Sequence, residues 1–302
     1  MIVKWNLYWS DDMNTFTINT ELVSRLIKKQ FPQWTDLPIR PVEKGGYDNF
    51  TFHLGNEMSV RLPRDEGHAP QAEKEAYWLP KLKPYISLPI PAPLAKGMPD
   101  EEYPFYWSVN KWIDGETLRY DNISSQNEFA VELSSFIKEL QTIDASDGPA
   151  AGEHNYFRGC PPMVYNEGTL QALETLGDLV DTEKSLEIWN EAIATEWTKE
   201  PVWIHGDIAP GNLLVKNGKL SSVIDFGIMG VGDPAIELTM AWTFFDEESR
   251  RVFLQSVGLD VDTENRARGW ALWKALITYA AEDKESESAR EAKRVIDVLL
   301  NE

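Results

Sequence analysis

Three polar side chains stand at spacings that suit phosphoryl transfer: Asp207, then Asn212 five residues on, then Asp225 thirteen residues after that. The first two lie in His205-Gly206-Asp207-Ile208-Ala209-Pro210-Gly211-Asn212, and the third opens Asp225-Phe226-Gly227. A carboxylate at 207 could orient an attacking hydroxyl and accept its proton. An amide and a second carboxylate could hold Mg2+ between nucleotide phosphates, because a hard divalent cation takes oxygen ligands. Gly206, Pro210 and Gly211 favour a tight irregular loop that fixes Asp207 relative to Asn212.

The flanking elements must bring these groups together. Leu213-Leu214-Val215 and Leu220 to Ile224 are short apolar runs separated by Lys216-Asn217-Gly218-Lys219, and an Asn-Gly pair between such runs signals a hairpin. Asn212 at its entrance and Asp225 at its exit would then arrive side by side. Either fragment alone, a His-Gly-Asp turn or an isolated Asp-Phe-Gly, reads as ordinary structure. Their order, spacing and hairpin context together point to a nucleotide site. Downstream, Asp233-Pro234 is a helix start, with Asp as cap and Pro as first helical residue. That helix is expected to run through Thr243, and the Asp233 carboxylate is a candidate support for the catalytic loop.

The block from Ile204 to Leu238, with Asp225-Phe226-Gly227 and Val231-Gly232-Asp233-Pro234-Ala235-Ile236-Glu237-Leu238, resembles the aminoglycoside phosphotransferase and choline kinase-like superfamily, which includes macrolide phosphotransferases. The likeness is strongest over that block, weaker from Pro41 to Leu118 and faint in the helical segments. It implies an α+β, two-lobed protein-kinase-like fold: a small antiparallel-sheet N-lobe and a larger, mainly helical C-lobe. The expected division is residues 1–112 for nucleotide binding, with an extra leader and helix at the start, and 113–302 for catalysis and substrate. Carried over by position, Asp207 matches the catalytic aspartate and Asn212 and Asp225 match the metal ligands. Where the family often has a second histidine before Pro210, this chain has Ala209.

The resemblance also directs attention upstream. Glu43-Lys44-Gly45-Gly46-Tyr47-Asp48-Asn49 sits between two expected strands, Ile39 to Val42 and Phe50 to Leu54. Gly45 and Gly46 would let its backbone close over phosphates, a plain hairpin turn being the alternative. In the strand Met58 to Arg64, Arg61 occupies the place where kinases carry a phosphate-gripping lysine; its planar fork also suits phosphate, with a different shape. A helix over Ala72 to Leu82 offers Glu75 as the carboxylate that fixes Arg61, with Glu73 two positions away as the alternative. Leu88-Pro89-Ile90-Pro91-Ala92-Pro93 must be extended. The aromatic strand Phe105 to Ile113 follows, and the resemblance makes it a hinge at which the main chain of Lys111 and Ile113 meets the purine edge.

The rest of the chain carries less chemistry. Glu128 to Thr142, Leu170 to Trp197 and Arg266 to Leu300 have helical apolar spacing. Trp270, Trp273 and Tyr279 read first as core and second as a stacking wall. Asp246-Glu247-Glu248 and Glu282-Asp283 read as helix starts or solvated faces before amine clamps.

At 302 residues with a formal net charge of −20, from 49 acidic and 29 basic side chains, the chain can bury a large core. That charge argues against nucleic acid or an anionic membrane as partner and favours a cationic small-molecule acceptor. Met1 to Asp12 lacks a signal-peptide pattern and no run suits a bilayer span, so a cytoplasmic location is expected. The single cysteine, Cys160, fits that compartment. Oligomeric state is not written in the sequence.

These readings converge on an enzyme: an ATP- or GTP-dependent, Mg2+-requiring O-phosphotransferase acting on a hydroxyl of a small, cationic molecule such as an aminoglycoside or macrolide antibiotic. A kinase of an amino-alcohol or sugar metabolite, and a nucleotide-binding module without turnover, are the alternatives. A protein kinase is disfavoured, because the chain passes too quickly from Gly227 to Asp233-Pro234 to hold an activation loop.

Overall fold

The computed structural model describes residues 17–43, 46 and 48–302. The leader Met1 to Asp12 and Gly45 lie outside the described residues. The chain divides into two compact units, residues 1–76 with 93–112, and residues 77–92 with 113–302. Residues 77–92, expected in the first lobe, group with the second unit.

The first unit is built on a five-stranded antiparallel sheet: β1 (Ile39–Pro41), β2 (Asn49–Leu54), β3 (Met58–Pro63), β4 (Pro93–Gly97) and β5 (Trp107–Lys111), in the order β1-β2-β3-β5-β4. Helix α1 (Thr20–Gln30) is capped by Asn19, whose side chain accepts the Leu22 N–H at 2.9 Å. It buries Leu22, Val23, Leu26 and Ile27 with Phe52, Leu54, Val60, Leu62, Trp107 and Val109. Because strand side chains alternate, Val60 and Leu62 enter this core while Arg61 between them turns to the opposite face. Helix α2 (Ala69–Leu82) begins three residues before its expected start.

The second unit is mainly helical. Its strands are β6 (Glu116–Thr117), β7 (Val202–Ile204), β8 (Leu213–Lys216), β9 (Lys219–Val223) and β10 (Gly230–Gly232). The helices are α3 (Gln126–Gln141), α4 (Asn166–Leu176), α5 (Thr182–Ile193), α6 (Met240–Thr243), α7 (Glu247–Val257), α8 (Val261–Ala281) and α9 (Glu287–Leu300). The two long helical regions each break in the middle, at Gly177 with φ +50° and in the segment after Glu282. Trp189, Trp203, Trp242, Trp270 and Phe226 are fully enclosed in its core.

Two pieces set up the site. β8 and β9 form the expected hairpin, with Leu213 opposite Val223, and its Asn217-Gly218 turn has φ of +55° and +78°. Positive φ at both turn residues is the form whose twist matches the flanking strands. The helix expected from Asp233 through Thr243 is instead a 3-10 turn, Pro234–Leu238, followed by the separate short α6. Asp246 caps α7 through the Ser249 N–H at 2.8 Å, and Glu282 closes α8, so both acidic clusters serve helix ends.

Candidate active site

In the second unit the chain leaves β7, turns at Gly206 with φ +84°, and enters a 3-10 turn at Pro210–Asn212 that leads directly into β8. A Cβ at Gly206 would come within 2.9 Å of the Ile228 carbonyl oxygen, so glycine is required for this close approach as well as for the turn. Asn212 donates its side-chain amide to Oδ2 of Asp207 at 2.9 Å and to the Asp207 carbonyl at 2.9 Å. Asp207 itself is exposed.

The hairpin brings the second carboxylate to the same place. The Ile224 N–H donates to the Asn212 carbonyl at 2.9 Å, which fixes Asp225 one residue beyond the entrance of β8. Asp225 sits at φ +66°, a left-handed conformation uncommon outside glycine and asparagine, held here by the hairpin on one side and the buried Phe226 on the other. Nδ2 of Asn212 is committed to Asp207, so Oδ1 of the amide and the Asp225 carboxylate are the oxygens that could take part in holding a cation. Two protein ligands suit Mg2+, which keeps water and takes phosphate oxygens. Among the described residues no group of three or more His, Cys, Asp or Glu side chains is arranged to hold a metal ion by itself.

Two residues within the recognised block hold this loop in ways its motif did not reveal. Glu237 accepts the N–H of His205 at 2.9 Å and of Gly206 at 2.8 Å, one on each carboxylate oxygen. It is completely buried, and burial pushes its carboxyl up to about 7 against the pull of those two N–H groups. His205 accepts the Asp207 N–H on Nδ1 at 3.2 Å and donates Nε2–H to the Ile224 carbonyl at 3.0 Å. This fixes a neutral Nε2–H tautomer, and burial lowers the imidazole from its ordinary value, in the same direction. One ring thus ties the backbone of Asp207 to the residue preceding Asp225. Phe226 packs edge-on to it with centroids 4.5 Å apart.

The Asp233 side chain is bonded away from the Asp207 loop. It caps the 3-10 turn through the Ala235 N–H at 3.0 Å, and its Oδ2 accepts Nε–H of Arg266 from α8 at 2.6 Å. The expected supporting role falls to Glu237, four residues later. A charged residue inside the apolar run Ala235 to Leu238 was the available signal.

In the first unit, Arg61 lies between Thr51 of β2 and Ser108 of β5. Its Nη1 donates to both oxygens of Glu75, at 3.3 and 3.0 Å, and Glu75 is buried. Of the two carboxylates considered, Glu75 is the one on Arg61, because Glu73 takes Nζ of Lys96 at 3.0 Å. Gly46 is exposed, and a Cβ there would meet no atom within 4 Å. At the start of β2, His68 bridges two carboxylates: Nε2 is 3.3 Å from Asp48 and Nδ1 is 2.8 Å from Asp65. Lys111 ends β5 opposite Met58, and the Trp112 N–H is used by the Glu57 carbonyl at 2.7 Å. By strand alternation the main-chain groups of Lys111 face the other edge, toward β4, which pairs only as far as Pro93 opposite Asn110. Ile113 is half-buried and opens the second unit.

Residues 38–275 match the model of the phosphotransferase enzyme family, and this chain belongs to that family of enzymes. It is 24% identical over 214 residues to an Escherichia coli aminoglycoside 3'-phosphotransferase, a match spanning 68% of each chain. Its fold is that of the aminoglycoside 2'-phosphotransferase-IIIa solved with GDP, with a TM-score of 0.70, 17% identity, and coverage of 94% of this chain and 99% of that one. The macrolide 2'-phosphotransferase MphH from Brachybacterium faecium shares it at a TM-score of 0.61 and 20% identity, over 91% of this chain and 98% of that one. Among the described residues no helix is long and apolar enough to cross a membrane.

Proposed function

We propose that this protein transfers the terminal phosphoryl group of ATP or GTP to a hydroxyl of a small molecule and requires Mg2+. The observation that carries the reading is the hydrogen bond from Asn212 to Asp207 at the mouth of the β8–β9 hairpin, next to Asp225. Asp207 is exposed and oriented, as the proton acceptor for an attacking hydroxyl must be. In the balanced step the acceptor oxygen bonds to the γ-phosphorus, its proton passes to the Asp207 carboxylate, and the bond to the β-phosphate oxygen breaks to leave the nucleoside diphosphate. Asn212 and Asp225 would hold Mg2+, which neutralises charge on the phosphates. Arg61, aimed by Glu75, is assigned to phosphate and the main chain of Lys111 and Ile113 to the base; Gly46 belongs to the segment assigned to cover the phosphates, of which Gly45 lies outside the described residues. Little covalent work is asked of the protein, and positioning accounts for most of the catalysis.

The related E. coli enzyme is named for an aminoglycoside acceptor and the Brachybacterium faecium protein for a macrolide. Together with the net charge of −20, this makes amine-bearing antibiotics of both classes the first acceptors to try. The direct test is nucleoside diphosphate release from ATP and from GTP, with Mg2+, across aminoglycosides, macrolides and small hydroxylated metabolites. Asp207→Asn is the control. Acceptor-dependent release that disappears in the variant supports the reading, and release that persists in it removes Asp207 from the mechanism.

A further inference from the structure

Beside Asp207 lies a cavity of about 380 Å³ whose wall includes Arg158, Gly206, Trp270, Trp273 and Lys274. Every one of these residues belongs to the second unit. Its lining includes the carboxylates of Asp207 and Glu291, yet the groups left unmatched share one polarity. Nε and Nη1 of Arg158 are buried and make no hydrogen bond, and the buried Nε1–H of Trp270 has no acceptor either. All three are donors. Each other arginine of the second unit has a carboxylate within ion-pair distance or bonds a carbonyl: Arg266 takes Asp233, Arg250 takes Glu302, Arg294 takes Glu291, the exposed ones take nearby carboxylates or a carbonyl, and Arg268 stands 3.4 Å from Glu302 although its Nε makes no hydrogen bond. Among the described residues Arg158 has no carboxylate within ion-pair distance.

The guanidinium of Arg158 lies 5.3 Å from the ring centroid of Trp270 and 4.8 Å from that of Trp273, and Tyr165 stacks on Trp273 from behind at 4.0 Å. These rings fix the plane of the fork and satisfy none of its N–H groups. Burial lowers Arg158 from its ordinary value, yet a guanidinium stays charged. Lys274, one turn of α8 from Trp270, is accessible to solvent and adds a second positive charge; desolvation and then Arg158 lower its ammonium. Arg158 is thus a half-buried cation whose Nε and Nη1 have no acceptor and on which Asp207 acts only through space, so a ligand that supplies acceptors is favoured.

We infer that the acceptor carries an anionic group, a carboxylate in the simplest case, which seats on Arg158 with Lys274 at its flank while its hydroxyl reaches Asp207. This rests on the phosphotransferase reading and adds a requirement opposite in sign to the chain's overall charge. Amines elsewhere on the acceptor remain compatible with it; an acceptor bearing only amines leaves the fork of Arg158 unmatched.

The test uses the full chain with Mg2+ and nucleotide and compares gluconate, glycerate and 4-(hydroxymethyl)benzoate with their neutral amides, beside an aminoglycoside panel. The carboxylates are expected to exceed their amides by roughly 10- to 100-fold in kcat/KM, the size of a lost charged hydrogen bond. Arg158→Gln should collapse that ratio toward one through KM, Arg158→Lys should keep part of it, and Lys274→Ala, on an accessible side chain, should reduce it without loss of folding. Equal use of acids and amides, or Asp207-dependent transfer to aminoglycosides that outruns every acid, overturns this inference and leaves the phosphotransferase reading standing. Absence of any Asp207-dependent transfer or nucleotide hydrolysis overturns both.

Discussion

Asn212 hands its side-chain N–H to the carboxylate of Asp207 at 2.9 Å, so the proposed metal ligand also aims the proposed base. Asn212→Ala should therefore do two things at once: lower kcat and raise the Mg2+ concentration needed for half-maximal rate. Asp207→Ala should lower kcat by roughly 10²- to 10⁴-fold with nucleotide affinity retained. Steady-state rates over a Mg2+ titration separate the two variants. An unchanged Mg2+ dependence in Asn212→Ala would remove that residue from the metal site.

Glu237→Gln keeps the shape of the side chain but turns an NH2 group toward one of two backbone N–H donors, those of His205 and Gly206. A buried donor left without an acceptor should cost about 1–3 kcal/mol, read as a fall in the denaturant midpoint, with kcat falling as the loop loosens. The wild-type pH dependence has a definite sign. The folded carboxyl sits at about 7, above its ordinary value of 4.5, so its contribution to stability is full below 4.5 and is lost as pH rises through 7. Glu237→Gln should flatten that part of the curve.

His68 titrates in the same sense by another cause. Its hydrogen bond to Asp48 raises the imidazole above its ordinary 6.5, against burial, and lowers Asp48 in return. The His68–Asp48 link that precedes β2 is therefore at full strength below pH 6.5 and is lost as pH rises through the folded value above it. Nucleotide KM should rise over that alkaline window in the wild type and stay flat in His68→Gln, which steady-state kinetics across pH 6 to 9 would show.

Breaking the pair beneath Arg61 should act on nucleotide and spare the acceptor. Glu75→Gln leaves the fork of Arg61 without its carboxylate, 15% exposed in a half-buried strand position. Nucleotide KM is expected to rise roughly 10- to 100-fold, the range of one charged hydrogen bond. A change confined to acceptor KM would refute the assignment of Arg61 to phosphate.

Arg266→Met removes the partner of Asp233 in a pair whose side chains are only 1% and 3% exposed. An uncompensated buried carboxylate should destabilise the fold by about 3–5 kcal/mol, and replacing Asp233 by Asn in the same chain should recover part of that loss. Calorimetric unfolding of the single and double variants provides the cycle.

The short-range parts of this architecture were legible in the sequence. The hairpin follows from Asn217-Gly218 between two apolar runs, and with it the approach of Asn212 to Asp225. The pairing of Arg61 was legible down to two helix positions, and only the rotation of α2 distinguished Glu75 from Glu73. What stayed hidden was set by distant contacts. Asp233 caps the turn as expected, but its further candidacy as loop support fails because Arg266 on α8 captures its carboxylate, and Glu237 within the 3-10 turn reaches the loop instead. The cationic wall joins Arg158 to Lys274 across more than a hundred residues, and neither had a local pattern to mark it.

Between Gly227 and the first residue of β10 stand only Ile228 and Met229, and the Phe226 ring is sealed against His205 with its carbonyl holding the Met229 N–H at 2.9 Å. A segment that short and that firmly anchored has no slack to swing aside and no hydroxyl of its own to modify. The stretch that follows Asp225 is thus pinned by contacts local to it, a ring against a ring and a turn closed by its own main chain.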